Sequence, residues 1–167
     1  QGFERQDLSI LSVITENNKG LVILVNKWDL IDKNTNSVKE FEKIILQRIA
    51  PFSDVPIIFT SAITKQRIFK ALEKTIEVHK NRTQRIPTSK LNDTILQIVH
   101  QNPPPMHKGK LVKIKYITQL PTRYPAFVFF CNLPQYIKEP YKRFVENQIR
   151  KLYNFSGVPI TIYFREK

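Results

Sequence analysis

The sequence predicts an α/β fold in two parts: a parallel-sheet segment of near-neutral charge, then a smaller basic α+β unit of order α-β-β-α-β. Three observations carry this. Short apolar runs at 21–25 and 56–60 alternate with helical stripes, the pattern of β-α units around a parallel sheet. Beyond residue 87 the pattern changes to a strand alternating apolar and polar residues, with a second strand close enough to pair antiparallel. Charge divides at the same place. Residues 1–79 hold 11 Lys and Arg against 10 Asp and Glu, whereas residues 80–167 hold 16 against 4.

Leu8, Leu11 and Ile14 mark a first helix over 7–17, stopped at Asn17-Asn18-Lys19-Gly20. Leu21–Val25 is a continuous apolar run, as expected for a strand covered on both faces. Phe41, Ile44, Ile45 and Ile49 form a stripe on a helix ending near Pro51. Pro56–Thr60 reads as a second buried strand, and Ile68, Leu72 and Ile76 mark the helix after it. The domain organisation is therefore 1–80, a polar linker at 81–87, and a second domain over 88–167. In the second domain Leu91, Ile95 and Ile98 mark a helix closed by Asn102-Pro103-Pro104-Pro105. Leu111–Thr118 and Ala126–Cys131 are strands, Tyr141, Val145, Ile149 and Leu152 give a helical stripe, and Pro159–Phe164 is the last strand.

Composition narrows the function. The chain has 167 residues with a net charge of +13, and the charge division assigns nearly all of the excess to the second half. A unit so one-sided suits a polyanionic partner, of which nucleic acid is the commonest. The apolar runs are far short of the roughly 18 residues of a membrane span, so no membrane partner is expected. Cys131 is the only cysteine, which excludes an intrachain disulfide and a thiolate zinc cage and fits a reducing cytoplasm. His79, His100 and His107 are scattered without metal-ligand or relay spacing, so neither a metal site nor catalytic residues are expected. The chain begins at Gln1, as a piece of something longer would.

Asn26-Lys27-Trp28-Asp29 follows the first strand directly. In parallel sheets ligands bind beyond the carboxyl ends of strands. A carboxylate there accepts two adjacent donors in one fork, and guanine offers such a pair in N1–H and the exocyclic amine. Adenine presents an acceptor and a C–H instead, so Asp29 would select guanine. Asn26 would brace the loop, and the Lys27 stem would cover the base. Ser61-Ala62 follows the second strand in the same way; the Ala62 N–H would donate to guanine O6 and the Ser61 hydroxyl would hold Asp29. A polar turn after a core strand is the competing reading of each motif. No Gly-x-x-x-x-Gly-Lys-Ser/Thr or Asp-x-x-Gly occurs, so the parts that cradle phosphates and position Mg²⁺ are absent and the chain alone is expected not to hydrolyse GTP.

With Asn26-Lys27-Trp28-Asp29-Leu30 come Tyr116-x-Thr118-Gln119, Pro125-x-Phe127 and Phe130-x-Asn132. Arg143-x-x-Glu146-Asn147-x-x-Arg150 and Gly157-Val158-Pro159-Ile160 complete the set. In this order the chain resembles the Der (EngA) family of bacterial ribosome-assembly GTPases. The resemblance implies the C-terminal part of a P-loop GTPase-type domain, the second of two, followed by a KH-like domain. It also implies GTP/GDP as ligand, Mg²⁺ held by residues outside this chain, the remaining GTPase domains as partners, and action on ribosomal RNA or the large ribosomal subunit. No Gly-x-x-Gly occurs in 80–167, so RNA capture by the usual KH loop is not expected. The candidate phosphate-contacting residues are Lys108, Lys110, Lys113, Lys115, Arg123, Lys142, Arg143, Arg150 and Lys151. Pairing with Glu139 or Glu146 competes for Arg143 and Arg150, packing against a GTPase domain competes for part of this surface, and Tyr116, Tyr124 and Tyr141 either stack on bases or pack. A plain KH-like RNA-binding protein with a nucleotide-free neighbour is the alternative function.

Overall fold

A computed structural model describes residues 4–31, 37–107 and 109–166 of the chain. It divides into two compact units, Gln1–Arg82 with Phe155–Pro159, and Thr83–Asn154 with Ile160–Lys167. The segment expected as linker is shorter than the sequence implied, because helix α3 (Ile68–Thr83) continues into it. Residues 155–159, expected within the second domain, belong to the first unit.

In the first unit, α1 (Arg5–Glu16) leads to β1 (Ile23–Val25), and α2 (Ser37–Arg48) to β2 (Ile57–Phe59). The two strands pair in parallel, Ile23 to Ile57 through Val25 to Phe59. Ile45, Ile49 and Val55 form the core, with Leu11, Leu21, Ile23, Val25 and Ile57 packed against them. β1 is two residues shorter at its start than expected, because the Leu21 N–H donates to the Gly157 carbonyl (2.7 Å) outside the ladder. Its far face is open, with Leu24 53% exposed, where cover on both faces was expected. The α3 stripe is also reversed. Leu72 and Ile76 are each 57% exposed, and the buried positions are Ala71, Val78 and Asn81. The Asn81 amide satisfies the Ser156 carbonyl (3.0 Å).

In the second unit, α4 (Thr88–Leu91), a π-helical turn (Asn92–Leu96) and α5 (Gln97–Gln101) abut. The wider π turn shifts the helical phase, so Leu96 and Val99 are buried rather than the expected Ile98. The sheet runs β3 (Ile114–Gln119), β4 (Ala126–Cys131), β5 (Thr161–Arg165), antiparallel then parallel. As an outer strand β3 has backbone groups open on one edge, and Asn92 meets them. Its Oδ1 accepts the Ile117 N–H (3.1 Å) and its Nδ2 donates to the Ile117 carbonyl (3.0 Å). One sheet face, through Ile117, Phe127 and Phe129, is 0% exposed at each. Burial of a side chain of this kind contributes roughly 1.5–3 kcal/mol.

Helix α6 (Glu139–Leu152) buries Tyr141, Val145 and Ile149 as expected, while Leu152 is 48% exposed. The Tyr141 hydroxyl donates to the Asn102 carbonyl (2.8 Å), and burial pushes its phenol up to about 12. An unfolded tyrosine ionises near 10, so this raised value contributes stability that is intact below pH ~10 and lost as pH rises toward 12. Raising the pH across that window should therefore remove up to about 2–3 kcal/mol of stability. A Tyr141→Phe variant should lack this loss in denaturant titrations at pH 9 and above.

Candidate nucleotide and nucleic-acid sites

Two backbone bonds carry the β1–β2 ladder past the strand ends. The Thr60 N–H donates to the Val25 carbonyl (2.8 Å), and the Trp28 N–H donates to the Thr60 carbonyl (3.0 Å). Residues 26–28 and 60–62 are thereby held side by side at the carboxyl ends of the strands. Trp28 locks the loop from beneath. It is 2% exposed, with its ring 4.3 Å from that of Phe59 and edge-on to Phe41 at 5.6 Å. Lys27 takes the left-handed conformation (φ 60°) that turns the chain into the short 3₁₀ helix Trp28–Leu30, and its side chain is exposed. Asp29 is half-buried in that turn.

Asn26 Oδ1 accepts the Ala62 N–H (3.1 Å), which ties the two sequence motifs together directly. That amide, expected to meet guanine O6, is engaged by Asn26 here. Ser61 is 0% exposed; its backbone bridges to Gln66, and its hydroxyl accepts the Thr64 N–H (3.2 Å). Asn26, Lys27 and Ala62 are exposed, so these motif residues open outward at one end of the sheet.

The basic residues gather in and around β3, in the loop before β4 and on α6. Lys113 and Lys115 border a groove of about 570 Å³ with Pro103, Pro104 and His100. The strand is not the simple alternation expected. A register shift between Ile114 and Tyr116 leaves Lys115 and Tyr116 exposed in succession. Lys110 lies over the Tyr136 ring (5.9 Å to its centroid), and Arg123 is exposed in the loop before β4. Lys108 lies outside the described residues. On α6, Lys142 pairs with Glu139 and Arg150 with Glu146 (3.0 Å), which takes two of the four candidate cations into helix-surface ion pairs. Arg143 and Lys151 are exposed. Cys131 is buried, and that burial raises its thiol above the ordinary range. Among the described residues no group of His, Cys, Asp and Glu could hold a metal ion, and no helix is long and apolar enough to cross a membrane.

Residues 85–165 match the family model described as the KH-domain-like of EngA bacterial GTPase enzymes, C-terminal. Over its whole length the chain is 59% identical to a protein named GTPase Der from Flavobacterium johnsoniae, covering 38% of that protein. It is 54% identical to GTPase Der from Christiangramia forsetii, again over 100% of this chain and 38% of the relative. GTPase Der from Bacteroides thetaiotaomicron is 59% identical over 169 aligned residues, with 39% of that protein covered. The chain belongs to the Der (EngA) family. It spans well under half the length of the Der proteins it matches, and its α-β-β-α-β unit is the KH-like domain. The fold is the expected one, the latter part of an α/β parallel-sheet domain followed by a KH-like unit.

Two features escaped the sequence reading. Trp28 stood in a variable motif position, and only its apolar character hinted that it anchors the loop. Asn92 sat in a helix with nothing to mark it as the clamp on the β3 edge.

Proposed function

We propose that this chain is the guanine-reading part of a GTP-binding domain joined to a basic RNA-binding module, in a GTPase that acts in assembly of the large ribosomal subunit. The observation that supports it most is the Asn26–Ala62 bond, which brings two motifs 36 residues apart to one strand end. Asp29 accepts the two guanine donors, Lys27 lays its stem along the base, and Ser61 shapes the floor beside them. GTP and GDP are the ligands. Mg²⁺ and the phosphates fall to residues outside this chain, since its sequence has no phosphate loop. A ribosomal partner also implies the cytoplasm.

The full-length protein, with a fluorescent GDP analogue bound, tests this by competition. GTP and GDP should displace the probe at least about a hundredfold more effectively than ATP and ADP, as expected when a carboxylate faces the wrong base. Failure of the probe to bind would support the alternative, a KH-like RNA-binding protein beside a fold that binds no nucleotide, and equal displacement by both bases would remove the guanine assignment. Chain 1–167 by itself should leave GTP intact. On the RNA side, Lys110, Lys113, Lys115, Arg123, Arg143 and Lys151 are exposed. If all six meet phosphates, a plot of log affinity for large-subunit RNA against log salt should fall with a slope of about −4. A flat plot would remove the RNA reading.

A further inference from the structure

We propose that the sheet face bearing Tyr116, Phe130, Tyr163 and Arg165 is a stacking platform for single-stranded RNA, an inference that rests on the RNA-binding reading above. The register builds it. Tyr116 pairs with Phe130, and Phe130 with Arg165, so these three cross the sheet in one row and project to one side. Tyr163 lies in the next row on the same side, paired with Val128. The Tyr116 and Phe130 rings are stacked, with centroids 5.6 Å apart and planes 29° from parallel. The Arg165 guanidinium sits 5.5 Å from the Tyr163 centroid, a cation–π contact that holds the ring and its charge together.

Core packing accounts for Ala126 and Val128 on this face but not for its outer side chains. On the opposite face Ile117, Phe127 and Phe129 are each 0% exposed, whereas here Tyr116 is 39% exposed, Phe130 and Tyr163 are half-buried and Arg165 is exposed. The β3 irregularity adds to this by placing Lys115 beside Tyr116 in solvent. Aromatic planes bordered by cations are what unpaired bases need: the rings take the base faces and the cations take the phosphates between them. In a duplex the base faces are already covered, so the platform favours single strands. The occupant follows from charge. Residues 80–167 carry 16 Lys and Arg against 4 Asp and Glu, which favours a polyanion and opposes a second copy of the same unit.

The experiment uses the full-length protein and a short fluorescein-labelled RNA of mixed sequence, single-stranded or annealed to its complement, followed by anisotropy. Tyr116→Leu should weaken single-strand binding about tenfold, the loss of one base–aromatic contact. Tyr116→Phe, which keeps the ring, should bind within about twofold of the parent, and Tyr116→Leu should leave the salt slope unchanged because it removes no charge. Lys115→Gln should instead flatten that slope by about 0.7. Circular dichroism checks that each variant is folded. Tyr116→Trp gives a second measurement, with its added fluorescence quenched when RNA binds. Parent-like binding by Tyr116→Leu, or no quenching in Tyr116→Trp, overturns the platform while the RNA-binding module stands. Altered self-association in sedimentation with RNA affinity intact makes the face a protein contact and also overturns it. Absence of RNA binding by the parent removes both readings.

Discussion

Replacing Asp29 by Asn in the full-length protein is expected to lower GTP affinity at this domain's site by about a hundredfold or more while leaving the fold intact. Charge-assisted hydrogen bonds contribute roughly 1.5–3 kcal/mol each, and guanine makes two to this carboxylate. The amide keeps the carboxylate's shape but presents one donor and one acceptor, so its donor is set against a guanine donor. Xanthine reverses the relation, because an oxygen replaces the exocyclic amine and accepts from the new N–H. The variant should therefore gain affinity for xanthosine nucleotides as it loses it for GTP. The loop geometry makes the comparison clean: Trp28, 2% exposed between Phe59 and Phe41, fixes the turn from below, and the Thr60 carbonyl holds its backbone. Competition against a fluorescent GDP analogue reads both affinities. Unchanged preference for guanine would place base recognition elsewhere. The Asn26→Ala variant separates positioning from recognition. It loses the bond to the Ala62 N–H and should weaken GTP and GDP binding without producing a preference for xanthine.

What was legible in the sequence was whatever depends on local spacing. The strand–motif junctions at 25–26 and 60–61, the four-residue rhythm of Tyr141, Val145 and Ile149, and the antiparallel pairing of β3 with β4 all follow from period and distance along the chain. What depends on a partner in space was not legible. An apolar run such as Leu21–Val25 signals a strand without saying how many of its faces are covered, and Leu24 remains 53% exposed. On α3 the bulky stripe through Leu72 and Ile76 outweighed Ala71 and Val78 in any count of hydrophobicity, yet the smaller side chains are the ones buried. The π turn at Asn92–Leu96 moved the buried face by one residue, and no composition rule announces such a turn. For the candidate site the motif residues were visible, but the engagement of Ala62 by Asn26 and the pairing of Lys142 and Arg150 with neighbouring acids needed coordinates.

Gly157 joins sequence pattern to physical necessity, and Gly157→Ala should be among the most destabilising single substitutions in the chain. Its φ is +76°, a conformation that costs a residue with a Cβ about 1–2 kcal/mol. An added Cβ would also stand 2.7 Å from the Leu21 carbonyl oxygen and 2.5 Å from Val78 Cγ2. Neither neighbour can withdraw cheaply. The Gly157 N–H donates to the Asp54 carbonyl and its own carbonyl accepts the Leu21 N–H, both at 2.7 Å, while Val78 is 4% exposed on α3. Gly109 supplies the control, since its φ is +73° and an added Cβ would meet nothing within 4 Å. Gly109→Ala should therefore cost only the conformational part, about 1 kcal/mol, and lower the melting temperature by about 2–4 °C. Gly157→Ala should add the steric part, for a total of about 3 kcal/mol or more, in the range of core disruption. Denaturant titrations of the two variants, followed by circular dichroism, separate strain in the backbone from crowding around it. Equal losses would show that the conformation alone accounts for the glycine, and that the contacts with Leu21 and Val78 relax at no cost.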